Sequence, residues 1–327
     1  MNESNQSTYQ TIDVKNNNYL TLAQIKFLPQ DTFHYISLHN AMSLGHIIIK
    51  ETSESGSVNN ILVINESEDS VFMMDGDLLK GAKQNRVLNS SILLPPNSKS
   101  IIPVSCVEQG RWSDRTRHFS PSDEIATKNI RMGKHDNIFS KSNIMPSHTK
   151  HFVDQGEVWD NVSMCASISG TTSSAPTGSH SDMFAAKRQD FQRYVRDFVL
   201  NPDANGLAYF IDGKLMGCEI FNRRSIYCDY FDKILISIAF EVDSLFLRLR
   251  QSSRWDSLFS NRKTLSNSDV SDVLCSSFFD IDNGVAAVDS CKGVALGNEY
   301  RLRDNNSMFY SLMFDNHTIH KSLLVAN

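Results

Sequence analysis

The sequence predicts an α+β protein, with an N-terminal antiparallel, β-sandwich-like lobe followed by an α+β lobe that contains a long amphipathic core helix. Three observations carry this. Short apolar runs bounded by Gly, Asn, Ser, Asp or Pro recur between Phe33 and Val107, which is the pattern of strands and turns. Apolar residues fall at helical spacing around Phe184 and again from Ile226 to Leu245. Between those two helical stretches, Asp212-Gly213 separates two apolar runs, a strong hairpin signal.

Residues 1–18 are polar and Asn-rich and read as a flexible tail. Residues 19–112 form the β-rich lobe. Its strands are expected at Ile47-Ile48-Ile49, Ile61-Leu62-Val63-Ile64, Val71-Phe72-Met73 and Ile92-Leu93-Leu94, then from Ile101 to Val107. The polar link Glu66-Ser67-Glu68-Asp69-Ser70 reads as a hairpin connection, and Pro95-Pro96 as a sharp break. Residues 113–151 show little periodicity. Arg115, Arg117, Lys128, Arg131, Lys134, Lys141 and Lys150 outweigh Asp114, Asp123, Glu124 and Asp136 there, so the segment reads as a long basic loop.

Residues 152–327 form the α+β lobe, unless the whole chain is one continuous domain. A helix should carry Phe184, Phe191, Tyr194, Val195, Phe198 and Val199, capped by Ser181 and stopped by Asn201-Pro202. The Asp212-Gly213 hairpin follows, then a core helix over residues 225–250 with Ile226, Tyr230, Phe231, Ile234, Leu235, Ile238, Val242 and Leu245 on one face. Residues 294–325 read as two or three further strands.

With 32 basic and 37 acidic residues the net charge is -5, so the average surface gives no electrostatic reason to bind nucleic acid or an anionic membrane. An anion site must be local. The N-terminus lacks a secretory pattern, and no run approaches the roughly 18 apolar residues of a membrane helix. The six cysteines are scattered without a C-x-x-C pair and are expected to be reduced thiols in a cytoplasm.

Chemistry concentrates in two segments, Lys80-Gly81-Ala82-Lys83-Gln84-Asn85-Arg86 and Cys106-Val107-Glu108-Gln109-Gly110-Arg111-Trp112. Strand alternation puts Gln84 with Arg86 and Cys106 with Glu108. Brought together, the two segments would gather guanidinium forks, amides, a carboxylate and a thiol. Arg86 or Arg111 could hold a phosphate or carboxylate bidentately, and Gln84, Asn85 or Gln109 could meet sugar or base edges. Glu108 could serve as general acid or base, or form a structural ion pair with either arginine. Cys106 could be a nucleophile given a lowered pKa, or a small core residue. Trp112 could stack on a planar ligand or anchor the core.

Three weaker patterns complete the reading. The i, i+3 pairs His148/His151 and His317/His320 lack the Cys or carboxylate that completes a zinc spacing, so no metal and no cofactor is expected. Lys80-Gly81-Ala82-Lys83 lacks the frame of a phosphate loop. Asp75-Gly76-Asp77 is a turn.

The run from Asp75 to Arg86 and the run from Ile102 to Trp112, with Gln155 to Trp159, Asp212-Gly213-Lys214 and Glu219-Ile220-Phe221, resemble the ADP-ribosylglycohydrolase- and rhodanese-phosphatase-superfamily-associated protein family over residues 20–325. Ala82 departs from the second glycine expected there. The resemblance implies the company of ADP-ribose enzymes and phosphatase-like proteins, mostly in prokaryotes and in conflict with phages. It supports an expectation that this chain binds an NAD- or ADP-ribose-derived nucleotide, with or without turnover, under a lid formed by the basic loop. The alternative is a non-enzymatic component of an antiviral defence system that assembles as a homo-oligomer or on a partner protein. Nucleic acid contact by the basic loop is the third reading.

Overall fold

The computed structural model describes residues 9–17, 20–28, 33–141, 150–250, 264–276 and 289–326, with side chains of the long helix described as far as residue 248. The first half runs β1 (Tyr9–Asn17), β2 (Leu20–Phe27), β3 (Tyr35–Ser37), α1 (Leu38–Ser43), β4 (Ile47–Glu51) and β5 (Asn60–Asn65). It continues with β6 (Ser70–Met73), β7 (Asp77–Gly81), β8 (Arg86–Leu88), β9 (Ile92–Leu94), β10 (Ser98–Cys106) and β11 (Phe119–Ile125). Helices α2 (Lys128–Lys141), α3 (Gln155–Ser169) and α4 (His180–Val195) precede the hairpin β12 (Gly206–Ile211) and β13 (Lys214–Phe221). The chain closes with α5 (Arg224–Arg250), α6 (Asn267–Leu274), β14 (Asp289–Lys292), β15 (Asn298–Arg303), β16 (Ser307–Phe314) and β17 (His317–Val325).

The fold is α+β and rich in antiparallel sheet, as the alternating apolar runs predict. A six-stranded sheet of order β11-β7-β8-β10-β5-β4 shares one core with the three-stranded sheet β3-β6-β9, through Ile49, Val63, Leu79, Leu88 and Val104 on one side and Val71, Met73, Ile92 and Leu94 on the other. That is the sandwich-like part. An eight-stranded sheet of order β1-β2-β12-β13-β17-β16-β15-β14 packs against α4 and α5 around Phe184, Phe191, Tyr209, Tyr230 and Phe240. Its other face meets α6 through Ile25, Phe210, Ile220, Val270 and Leu274. Among the described residues, no helix is long and apolar enough to cross a membrane.

Four expectations are corrected. Residues 9–17 of the expected tail form β1, paired along its length with β2; residues 1–8 and 18 lie outside the described residues. The hairpin β1-β2 then joins β12, with Leu22 opposite Tyr209, so the first strands belong to a sheet completed by the second half of the chain. Residues 66–70 do not close a hairpin, because β5 and β6 enter different sheets. The Asn65 amide organises that turn by donating to the Asp69 and Pro95 carbonyls and accepting from Ser67.

Residues 113–151, read as a basic loop, contain the edge strand β11 and the fourteen-residue helix α2. Pro121 sits in β11 opposite Leu79, an edge position where a missing N–H is tolerated. The helix has no apolar stripe because its buried face is largely charged, with Lys128, Arg131, Lys134 and His135 all inside. Residues 142–149 lie outside the described residues. The apolar face of α5 is buried as predicted, and the α4 cap is Ser179, two residues before Ser181, accepting from the Asp182 N–H.

Asp212 and Gly213 both adopt positive φ, 51° and 73°, as the two-residue hairpin turn requires. Helix α3, which periodicity did not reveal, begins on an Asp154 cap that accepts from the Gly156 and Glu157 N–H groups and ends at Gly170 in the left-handed region.

Candidate functional site

The two motif segments meet where β8 and β10 pair, with Arg86 opposite Cys106. The chain between β7 and β8 makes a tight excursion in which Gly81 has φ 113° and Ala82 φ 40°. Asn85 holds this excursion closed: its Oδ1 accepts from the Gly81 N–H at 3.1 Å, and its own N–H donates to Glu108 Oε2 at 3.2 Å. The backbone continues the join, since Val107 N–H donates to the Asn85 carbonyl and Gly110 N–H donates to the Thr177 carbonyl. Gly110 allows that approach, as a Cβ there would lie 2.9 Å from Thr177 Cα.

Glu108 is fully buried. Arg111 donates to its Oε2 at 2.7 Å, Thr177 donates to Oε1 at 3.1 Å, and the Arg115 guanidinium lies 3.5 Å from Oε1. Burial alone would raise its pKa, but the Arg111 fork and the Asn85 N–H bring it below the usual carboxylate range. Arg111 also donates to the carbonyls of Gly81, Ala82 and Ser113, so its fork clamps the excursion from outside. Arg86 donates to Gln84 Oε1 at 2.8 Å and the Ser57 carbonyl at 3.1 Å, and lies 3.6 Å from Glu51. Gln84 in turn donates to the Glu108 carbonyl.

Cys106 lies in the core beside Arg86, and burial pushes its thiol up, away from the thiolate a nucleophile needs. Its backbone N–H and carbonyl are both engaged by the Gln155 side chain, at 2.8 and 2.9 Å, which accounts for Gln155 at the head of α3. The structure thus brings Gln84, Asn85, Arg86, Cys106, Glu108 and Arg111 together. Gln109 faces solvent, and Trp112 is 46% exposed with the Arg86 guanidinium 5.6 Å from its ring centroid.

The terminal nitrogens of Arg86 and Arg111 point at protein acceptors, not outward as a phosphate clamp would require, while the Nε of each is buried without a partner among the described residues. Outward-facing groups lie next door, in a cleft of about 680 Å³ lined by Lys50, Glu51, Glu54, Lys83, Arg115 and Arg117. Lys83 pairs with Asp114 at 3.2 Å, and its side chain and the Trp112 ring both flank Gly56. A larger cavity of about 840 Å³ lies between α4, α5 and β11 and touches the motif only at Lys80; its Lys80 is paired with Glu124 and its Lys233 with Asp77.

A second charged assembly was not legible in the sequence. Asp75, read as part of a turn, is fully buried and accepts from Arg131 at 2.9 Å and Lys134 at 2.7 Å, with His135 at 2.8 Å. Burial pulls its pKa upward, but these three neighbours hold it well below the carboxylate range. Arg131 continues to Glu219, which meets His320 at 2.9 Å, and His320 reaches Ser91 at 3.0 Å. His317 is exposed and His320 buried, so that predicted pair is divided, and His148 lies outside the described residues. Beyond His135, Arg301 pairs with Glu299, and Glu299 meets His151 at 3.0 Å. Arg131, Lys134 and His135 at i, i+3 and i+4 were the available signal, a helical period written in charge instead of apolar side chains.

No curated protein and no solved structure matches the chain. A family model described as the ARG and Rhodanese-Phosphatase-superfamily-associated Protein domain matches residues 8–324, nearly the whole chain, and this chain belongs to that family.

Proposed function

We propose that this protein binds a nucleotide of the NAD or ADP-ribose class in the cleft beside Lys83 and Arg115. The observation that carries the reading is a cleft holding four cations, Lys50, Lys83, Arg115 and Arg117, among the carboxylates Glu51, Glu54 and Asp114, with the half-exposed Trp112 ring beside Lys83 across Gly56. A ring to stack a base and cations to meet a diphosphate are the two elements such a ligand needs. The family's association with ARG and rhodanese-phosphatase-superfamily proteins supports the class of ligand. In this reading Gln84, Asn85, Arg86, Glu108 and Arg111 build the floor. Phosphate contact passes to Lys83, Arg115 and Arg117, and the exposed Gln109 meets the sugar or base. A buried, ionised Glu108 and a protonated Cys106 suit binding better than turnover.

Calorimetry with ADP-ribose and NAD tests this. Binding that weakens at least tenfold in Lys83→Ala and Arg115→Ala, with the melting temperature kept, is the expected result. No heat from the folded wild-type chain at millimolar ligand would sink the proposal. It would favour the role of a prokaryotic defence component that acts by assembling with itself or with a partner protein.

A further inference from the structure

Strands β14 and β15 place Cys291 directly opposite Glu299 and Asp289 opposite Arg301, all on one face by the two-residue alternation of strands. His151 reaches the same face from the segment before α3, with its carbonyl held by the Asn89 amide at 2.9 Å. One ligating atom each from His151, Cys291 and Glu299 falls within 4.8 Å of the others. Arg301 donates to Glu299 Oε2, leaving Oε1 turned to His151 at 3.0 Å, and its other terminal nitrogen lies 3.7 Å from Cys291 Sγ. His151 and Glu299 are buried, while Cys291 is half-buried on the terminal strand of the sheet. Asp289 Oδ2, one residue pair along the same face, is buried without a hydrogen-bond partner among the described residues.

We propose that His151, Cys291 and Glu299 form a binding site for a borderline-soft divalent transition metal, with zinc as its ordinary occupant. The donor set decides the class of ion. A thiolate and an imidazole discriminate against magnesium and calcium, which prefer all-oxygen shells. Three protein ligands leave a fourth position, the arrangement of zinc sites that hold a water or a substrate atom. Arg301 is the outer-sphere partner, fixing the spare carboxylate oxygen and donating to the sulfur. Asp289 lies one pair along the same face, with Oδ1 4.0 Å from the Lys150 ammonium and Oδ2 free to accept from a metal-bound water. The competing account is a metal-free His151-Glu299-Arg301 ion pair in which Cys291 serves only as a hydrogen-bond partner of Arg301 and His151.

The test is metal titration of the full chain after chelator treatment. Expected are one equivalent of zinc, and a thiolate-to-cobalt charge-transfer band on cobalt(II) substitution that disappears in Cys291→Ser and persists in Cys275→Ser. Zinc affinity should fall at least tenfold in Cys291→Ser, a change that leaves the His151-Glu299-Arg301 contacts in place, and zinc should slow alkylation of Cys291. A folded wild-type chain that binds no zinc, or a Cys291→Ser variant with unchanged zinc affinity, would overturn the proposal. Neither readout depends on nucleotide binding in the cleft beside Lys83.

Discussion

Arg111 donates to Glu108 at 2.7 Å across three residues of chain, and both side chains are buried. The carboxylate has no solvent to fall back on, so its charge is tolerable only while the fork is present. Arg111→Ala is therefore expected to destabilise the protein by about 3–5 kcal/mol, the usual result of orphaning one member of a buried pair. Chemical denaturation measures this. A loss under about 1 kcal/mol would mean that Arg115 and Thr177 suffice alone.

Gly81→Ala should disturb the same knot from the backbone side. The residue has φ 113°, and an added Cβ would lie 2.2 Å from Thr116 Oγ1, the atom that accepts from the Ala82 N–H. A cost of about 2–4 kcal/mol is expected from strain and lost packing. Adding Thr116→Ala should relieve the clash but not the backbone strain, so the double variant is predicted to lie between wild type and Gly81→Ala in thermal melts.

Asp75→Asn leaves Arg131 and Lys134 buried against a neutral amide. We expect a stability loss of about 3–5 kcal/mol. Asp75→Asn with Lys134→Met removes a charge pair together and should be the more stable of the two variants by denaturant titration. If the double variant is no better than the single, the network is not organised around this pair.

His180 provides the pH dependence. Burial and the charge of Lys80 push its pKa down to about 3, and its Nε2 accepts from the Thr127 N–H. An unfolded histidine titrates at about 6.5, so between about pH 3 and 6.5 this side chain holds a proton in the unfolded state that it lacks in the folded one. Stability contributed by this site is full above about pH 6.5 and is lost as pH falls, by at most about 1.4 kcal/mol per pH unit. The buried carboxylates Asp75, Glu108 and Glu219 also have depressed pKa values and lose their contribution as pH falls through the acid range. The wild-type minus His180→Gln difference isolates the histidine, and it should grow with pH between about 4.5 and 6.5. A flat difference would show that His180 is not buried as a neutral ring.

How far the sequence disclosed this fold follows from which forces leave a local signature. Ile47, Val63, Val71 and Ile92 bury apolar surface at strand period, and Ile226 to Val242 do so at helix period, so both were legible. Helix α2 was not, because Arg131, Lys134 and His135 are stabilised by Asp75, more than fifty residues away. Strand β1 was missed for a related reason, its alternation being blurred by polar residues that are only partly covered. At the site, Gln84 meets Arg86 by a side-chain hydrogen bond and Cys106 meets only the Glu108 backbone, although Gln84 and Glu108 lie just outside β8 and β10, where strand alternation no longer applies. The direction of each guanidinium was illegible, since the carbonyls of Ser57, Ala82 and Ser113 that receive them carry no side-chain identity.

The hairpin of β1 and β2 leaves the ribosome well before its neighbour in the sheet, β12, which lies far along the chain. Until Gly206–Ile211 has been translated, β2 presents an unsatisfied row of backbone donors and acceptors with Leu20, Leu22 and Ile25 still uncovered. Sheet closure is thus a late event that waits on synthesis. Between synthesis of β2 and of β12 the nascent chain carries an adhesive edge, for which a chaperone or a second copy of this hairpin would compete.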